Sequence, residues 1–175
     1  MKNPIYLKKI LLLALMANLC FSCNNTPENE KPILKSERQK TTVTPTVNVD
    51  ALKSDLRVIT DLSKGLEIAS EEEKPILLYF TGHAAINGRK IESELLRGNE
   101  VIFNTIKDNY INVWLYVDDK DNGKQWSKYQ QKNFGTNNQP FFVILNSQGT
   151  PITDGLNISE AKSNLERELI ENKNS

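Results

Sequence analysis

Beyond residue 23 this 175-residue chain has no cysteine; its two thiols are Cys20 and Cys23. The remainder holds no disulfide and no dithiol, which excludes self-contained thiol–disulfide exchange and a thiolate-held metal. Histidine is almost as scarce, with His83 alone, so no metal and no cofactor is expected. An excess of one charge is also missing. Lys+Arg and Asp+Glu stand at 22 each, which leaves no footprint for nucleic acid. No apolar run is long enough to cross a bilayer, which takes roughly 20 residues. Internal repeats are absent too.

The first residues have an organisation of their own. Lys2, Lys8 and Lys9 precede the apolar run Ile10–Ala17, with no acid before residue 23. This is the pattern of a secretory signal over residues 1–22. Ser22 directly before Cys23 resembles a bacterial lipobox, although Phe21 is bulkier than usual there. Cys23 is therefore the expected lipidation site, with Cys20 the weaker candidate behind bulky Leu19. Removing the signal leaves 19 basic against 22 acidic residues. Residues 23–50 are rich in Thr, Asn, Pro, Glu and Lys without a period, and read as a flexible tether reaching on the order of 30 Å.

Residues 51–175 carry the periodic signals. Leu52, Leu56, Ile59, Leu62 and Leu66 predict a helix over residues 51–70, split at Gly65, with Asp61 or Ser63 capping the second piece. Pro75 ends it. The unbroken apolar run Ile76–Phe80 predicts a buried strand, and Thr81–Asn87 a loop. Helical spacing follows through Ile91, Leu95 and Leu96, then Ile102 and Ile106. A second strand is expected at residues 111–117 and a helix at 124–133. A third strand at 141–145 turns at Asn146–Gly149 into a short return over residues 150–153. A last helix spans residues 159–172. The order implies an α/β sandwich, a central mixed sheet of about four to five strands flanked by helices.

That order, with Lys74-Pro75-Ile76-Leu77-Leu78-Tyr79-Phe80-Thr81-Gly82, Arg89-Lys90-Ile91-Glu92, Leu115–Asp119 and Gln139-Pro140-Phe141, resembles a thioredoxin-like domain over roughly residues 62–169. Within that family it is most similar to the carboxy-terminal thioredoxin-like domain of the thiol:disulfide interchange protein DsbD. The resemblance places the family's Cys-x-x-Cys pair at Ala85 and Gly88, with Ile86 and Asn87 as the spacer, so both sulfurs are gone. It places Tyr79 where the family carries a buried acid. It also implies a cis bond before Pro140, beside which the family pairs with extended peptide.

The candidate surface is the degenerate loop His83, Ala84, Ala85, Ile86, Asn87 and Gly88 together with Gln139 and Pro140. The expected partner is a protein or extended peptide of the cell envelope, reached from a membrane by the lipid anchor. No catalytic residue is expected. His83 reads as an exposed loop residue, its sharper reading being a general base or ligand contact. Gly88 reads as drift after loss of a cysteine, or as part of a dimple with Ala85. Asp118–Gly123 reads as a solvated turn, since no glutamate follows at the place a calcium loop requires. The alternatives are an oxidoreductase component whose cysteines come from another chain, and a scaffold with an unused groove.

Overall fold

The computed structural model describes residues 47–175. The secretory signal, the lipidation site at Cys23 and most of the tether lie outside them. Among the described residues no helix is long and apolar enough to cross a membrane.

Four strands form one mixed sheet: β1 (Ile76–Thr81), β2 (Ile111–Tyr116), β3 (Phe141–Leu145) and β4 (Leu156–Asn157). Their spatial order is β2-β1-β3-β4. β1 and β2 run parallel in the register Ile76–Ile111 to Thr81–Tyr116, and β3 pairs antiparallel with β1 through Phe80–Phe141. Helices cover both faces, so every residue of β1, β2 and β3 is buried and the strands read as continuous apolar runs.

One face of the sheet carries Leu77, Tyr79, Trp114, Phe142 and Ile144. Against it lie α1 (Val49–Asp55), α3 (Ile86–Ile91), α4 (Glu100–Asn109) and α6 (Ile158–Asn172). The other face carries Ile76, Leu78, Phe80, Val113, Leu115 and Val143, under α2 (Leu62–Glu72) and α5 (Gly123–Phe134). Strand residues alternate between the two cores because successive side chains point to opposite faces.

Three expectations change. The first helical stretch breaks at residues 56–61, not at Gly65. There Ile59 forms a parallel bridge to Val113, taking Asn112 O and giving its own carbonyl to Trp114 N–H. Asp61 caps α2 as expected, its carboxylate accepting from Lys64 N–H. Gly65 sits inside α2 because a Cβ there would lie 2.3 Å from Val113 Cγ2. Only glycine allows this approach of helix to strand.

The second change is the return after β3. Asn146–Gly149 turns as expected, with Gly149 at φ 82°. Residues 150–153 then make a single bridge, Leu145–Pro151, and no strand. Pro151 has no N–H to give, and the Thr153 hydroxyl accepts from Ile144 N–H in place of a ladder carbonyl. The strand that pairs with β3 lies beyond, at Leu156–Asn157.

Third, α3 does not continue as an α-helix. It passes directly into a π-helical segment, Glu92–Arg97. Elsewhere the boundaries shift by one or two residues: α1 starts at Val49 and α6 at Ile158, where Asn157 and Glu160 complete a capping box.

Candidate functional site

β1 ends at Thr81, and the chain turns over the sheet edge through residues 82–85 before α3 begins at Ile86. One step beyond the Phe80–Phe141 pair, the antiparallel register sets Pro140 opposite Thr81. The loop and Pro140 therefore meet at one end of the sheet. The Gln139–Pro140 bond is cis, as the resemblance implied, and Pro140 is buried. The Gln139 side chain turns toward α5, where its Nε2 donates to Gln130 Oε1.

Two opposite charges hold the loop. Asp118, just past β2, accepts from His83 N–H at 2.7 Å and Ala84 N–H at 2.9 Å. Partial burial pushes its carboxyl upward, but these two amides and the neighbouring His83 ring outweigh that and hold it below the usual range. From the other side Arg89 Nη2 donates to the carbonyls of Gly82 and His83, at 3.3 and 3.2 Å. Arg89 Nη1 donates to Glu92 Oε2. Glu92 is fully buried at the first π-helical position, and Arg89 is 35% exposed. Desolvation works against the guanidinium's charge, and Glu92 more than restores it, so Arg89 stays a cation.

Beneath the clamp lies a buried polar cluster. Tyr79 Oη donates to Glu92 Oε1 at 3.4 Å, while Thr81 Oγ1 and Tyr116 Oη have no hydrogen-bond partner. Burial, reinforced by Glu92, drives the Tyr79 hydroxyl far above its ordinary value and pushes Tyr116 up to about 12. Both phenols stay neutral at any physiological pH.

Gly88 is buried against this cluster. A Cβ there would stand 2.7 Å from Thr81 Oγ1 and 3.4 Å from Tyr79 Oη. Thr81 thus fills the space beside Gly88, and the position is packed rather than an open dimple. Ala85 is half-buried and Ile86 is 84% exposed, the most exposed large apolar side chain described.

His83 stacks on Tyr116, ring centroids 4.1 Å apart and 8° from parallel. Its Nε2 lies 3.7 Å from Asp119 Oδ2. With Lys53, Thr60, Asn122 and Trp126 these residues line a cleft of about 230 Å³. Asp119 is also committed to Asn122 and Asp121 N–H groups, which lower its carboxyl. The Asp118 and Asp119 carboxylates thus serve the chain's own amides. No group of three potential metal ligands occurs among the described residues.

The structure therefore brings His83–Gly88 and Pro140 to one end of the sheet and turns the Gln139 side chain away. Sequence reasoning passed over Glu92, Arg89 and Asp118. Tyr79 stands in β1 at the place where the resemblance put the family's acid, and a buried carboxylate reaches it from the helix. Arg89 and Glu92, three apart on a helix, were the available signal. The arrangement offers no sulfur, and no nucleophile is hydrogen-bonded to His83. What it offers is a fixed backbone turn presenting an apolar side chain.

No family model and no curated protein matches the chain. Solved structures similar to it include the following two. One is described as "DsbH Oxidoreductase", at 14% identity and a TM-score of 0.50, covering 65% of this chain and 85% of that one. The other is a thioredoxin from Thermus thermophilus in solution, at 14% identity and a TM-score of 0.52, covering 64% and 83%. With the mixed sheet flanked by helices, these make the fold of the described residues thioredoxin-like.

Proposed function

We propose that this chain is a lipid-anchored module of the cell envelope that binds a protein or extended peptide through residues 83–88 and Pro140 and performs no thiol chemistry of its own. A thioredoxin-like fold does not by itself carry an activity. The observation that carries the reading is the pairing of an absent dithiol with a loop whose first residues, 82–84, are held through both their amides and their carbonyls. Asp118 and Arg89 hold the turn that would present a cysteine at position 85, while Thr81 fills the space a side chain at position 88 would need. A loop kept rigid without its sulfurs suits recognition, because ordering costs are met before the partner arrives. Ile86 supplies an exposed apolar anchor at its tip.

Insulin reduction by the full chain with dithiothreitol as electron donor tests the chemical half. A rate equal to the buffer control is expected, and a rate clearly above it overturns the reading. Site-specific photo-crosslinking in intact cells tests the binding half. A crosslinker at Ile86 should trap a discrete envelope partner that one at exposed Ile170 does not.

A further inference from the structure

At the opposite end of the parallel pair, where β1 and β2 begin, a second cleft of about 300 Å³ opens among α1, α2, α4 and the start of β2. Its floor combines buried Leu56 and Ile111 and half-buried Ile59 and Ile68 with buried Tyr110 and Asn112. Its rim holds Arg57, Lys64, Lys74 and Lys107, and a single acid, Glu72. Glu72 is taken by Lys74 at 2.8 Å. Among the described residues Arg57, Lys64 and Lys107 have no carboxylate within ion-pair distance; Lys107 lies only over the Phe103 ring. Arg57, Lys64 and Lys107 thus bring to one cleft a positive charge that its single acid, already taken by Lys74, does not answer.

Arg57 reaches the rim from an uncommon backbone conformation. It is the second residue beyond α1, with φ 52°, while its N–H bonds Ser54 O and the next N–H bonds Lys53 O. Helices that close this way favour glycine, since a Cβ is strained in the left-handed region. Glu73 closes α2 with the same φ but lies outside the cleft lining, whereas the turn at Arg57 carries its cationic side chain to the cleft rim.

We infer that this cleft is a binding site for a small anionic amphiphile, a carboxylate or phosphate ester with an apolar chain. Arg57, Lys64 and Lys107 hold the anionic group, and the chain lies on Ile59 and Ile68. The site is independent of the loop at the other end of the sheet.

Titration of the isotope-labelled full chain, followed by amide shifts, tests it with decyl phosphate and decanoate below their micelle concentrations. Saturable shifts are expected at residues 57, 59, 64, 68 and 107. Decyltrimethylammonium, with the same chain and the opposite charge, should produce none. Lys64→Gln and Lys107→Gln should each weaken binding about tenfold, as loss of one charge-assisted contact does. Arg57→Gly should weaken binding similarly while holding or raising the thermal midpoint, a combination that a merely structural role cannot give. Equal binding of the cationic amphiphile, or unchanged affinity in the lysine variants, overturns the inference. So does binding to anionic vesicles with no response to the free amphiphiles.

Discussion

Replacing Arg89 by alanine strips the fully buried Glu92 of its charged partner and leaves only the Tyr79 hydroxyl at 3.4 Å. Breaking a buried pair from one side costs about 3–5 kcal/mol, because the remaining charge is left uncompensated. Arg89 is 35% exposed, so water can enter where the guanidinium stood and reduce the loss. The Gly82 and His83 carbonyls lose long, partly hydrated bonds worth about 0.5 kcal/mol each. The net is about 3 kcal/mol. With a urea slope near 2 kcal/mol per molar, Arg89→Ala should lower the unfolding midpoint by about 1.5 M. Arg89→Met combined with Glu92→Leu removes both charges and keeps the volume, so it should return to within about 1 kcal/mol of the parent. Both would be read by circular dichroism in urea. A loss below about 1 kcal/mol for Arg89→Ala would refute the reasoning. That is the value of an exposed pair, and Glu92 would then have to reach water.

Three further perturbations follow from the packing. Gly65→Ala gains about 1 kcal/mol of helix propensity but drives a methyl to 2.3 Å from Val113 Cγ2; a net loss of about 1–2 kcal/mol by chemical denaturation is expected. Gly88→Cys should destabilise by about 1–3 kcal/mol, and adding Thr81→Ala should recover most of it, since the obstruction is a hydroxyl without a partner. In alkali the folded state holds the Tyr116 proton to about pH 12 while the unfolded chain releases it near pH 10. The folded state therefore binds more protons between these values, and stability should be intact below pH 10 and fall as pH rises toward 12. Absorbance at the phenolate band during a pH-jump series would show Tyr116 titrating late or only on unfolding.

The strands were legible because burial on both faces turns them into unbroken apolar words, and Pro75, Gly82 and Pro140 punctuate them. Asp61 announced the start of α2 for a local reason, a carboxylate reaching Lys64 N–H. The break before it was hidden. Arg57 has no business in a left-handed turn by propensity, and Ile59 looks like one more helical apolar position. Its pairing with β2 is a long-range event that no local window contains. Residues 150–153 failed for the converse reason: the turn chemistry was right, but Pro151 has no N–H to give and the Thr153 hydroxyl takes the Ile144 N–H, so the ladder stops after the Thr150 and Ile152 backbone bonds. At the site, the loop position was readable from the resemblance, whereas its clamp was not. Asp118 lies 35 and 34 residues from the amides it holds, and Glu92 gives no sign in the sequence that it is buried.

The lone rung at Ile59 also settles how the sheet ends. β2 is a six-residue edge strand, buried throughout, and among the described residues only Ile59 bridges to its outer side, at Val113. Such an edge is a template for another chain, and natural sheets guard theirs. Residues 56–61 act here as a latch across it, fastened by Asn112 Nδ2 donating to Leu56 O. Proteolytic trimming that passes Val58 would unfasten that latch and leave the edge open to strand-to-strand aggregation. The amino-terminal limit of a soluble fragment is therefore drawn by one hydrogen-bonded residue, well before the first strand begins.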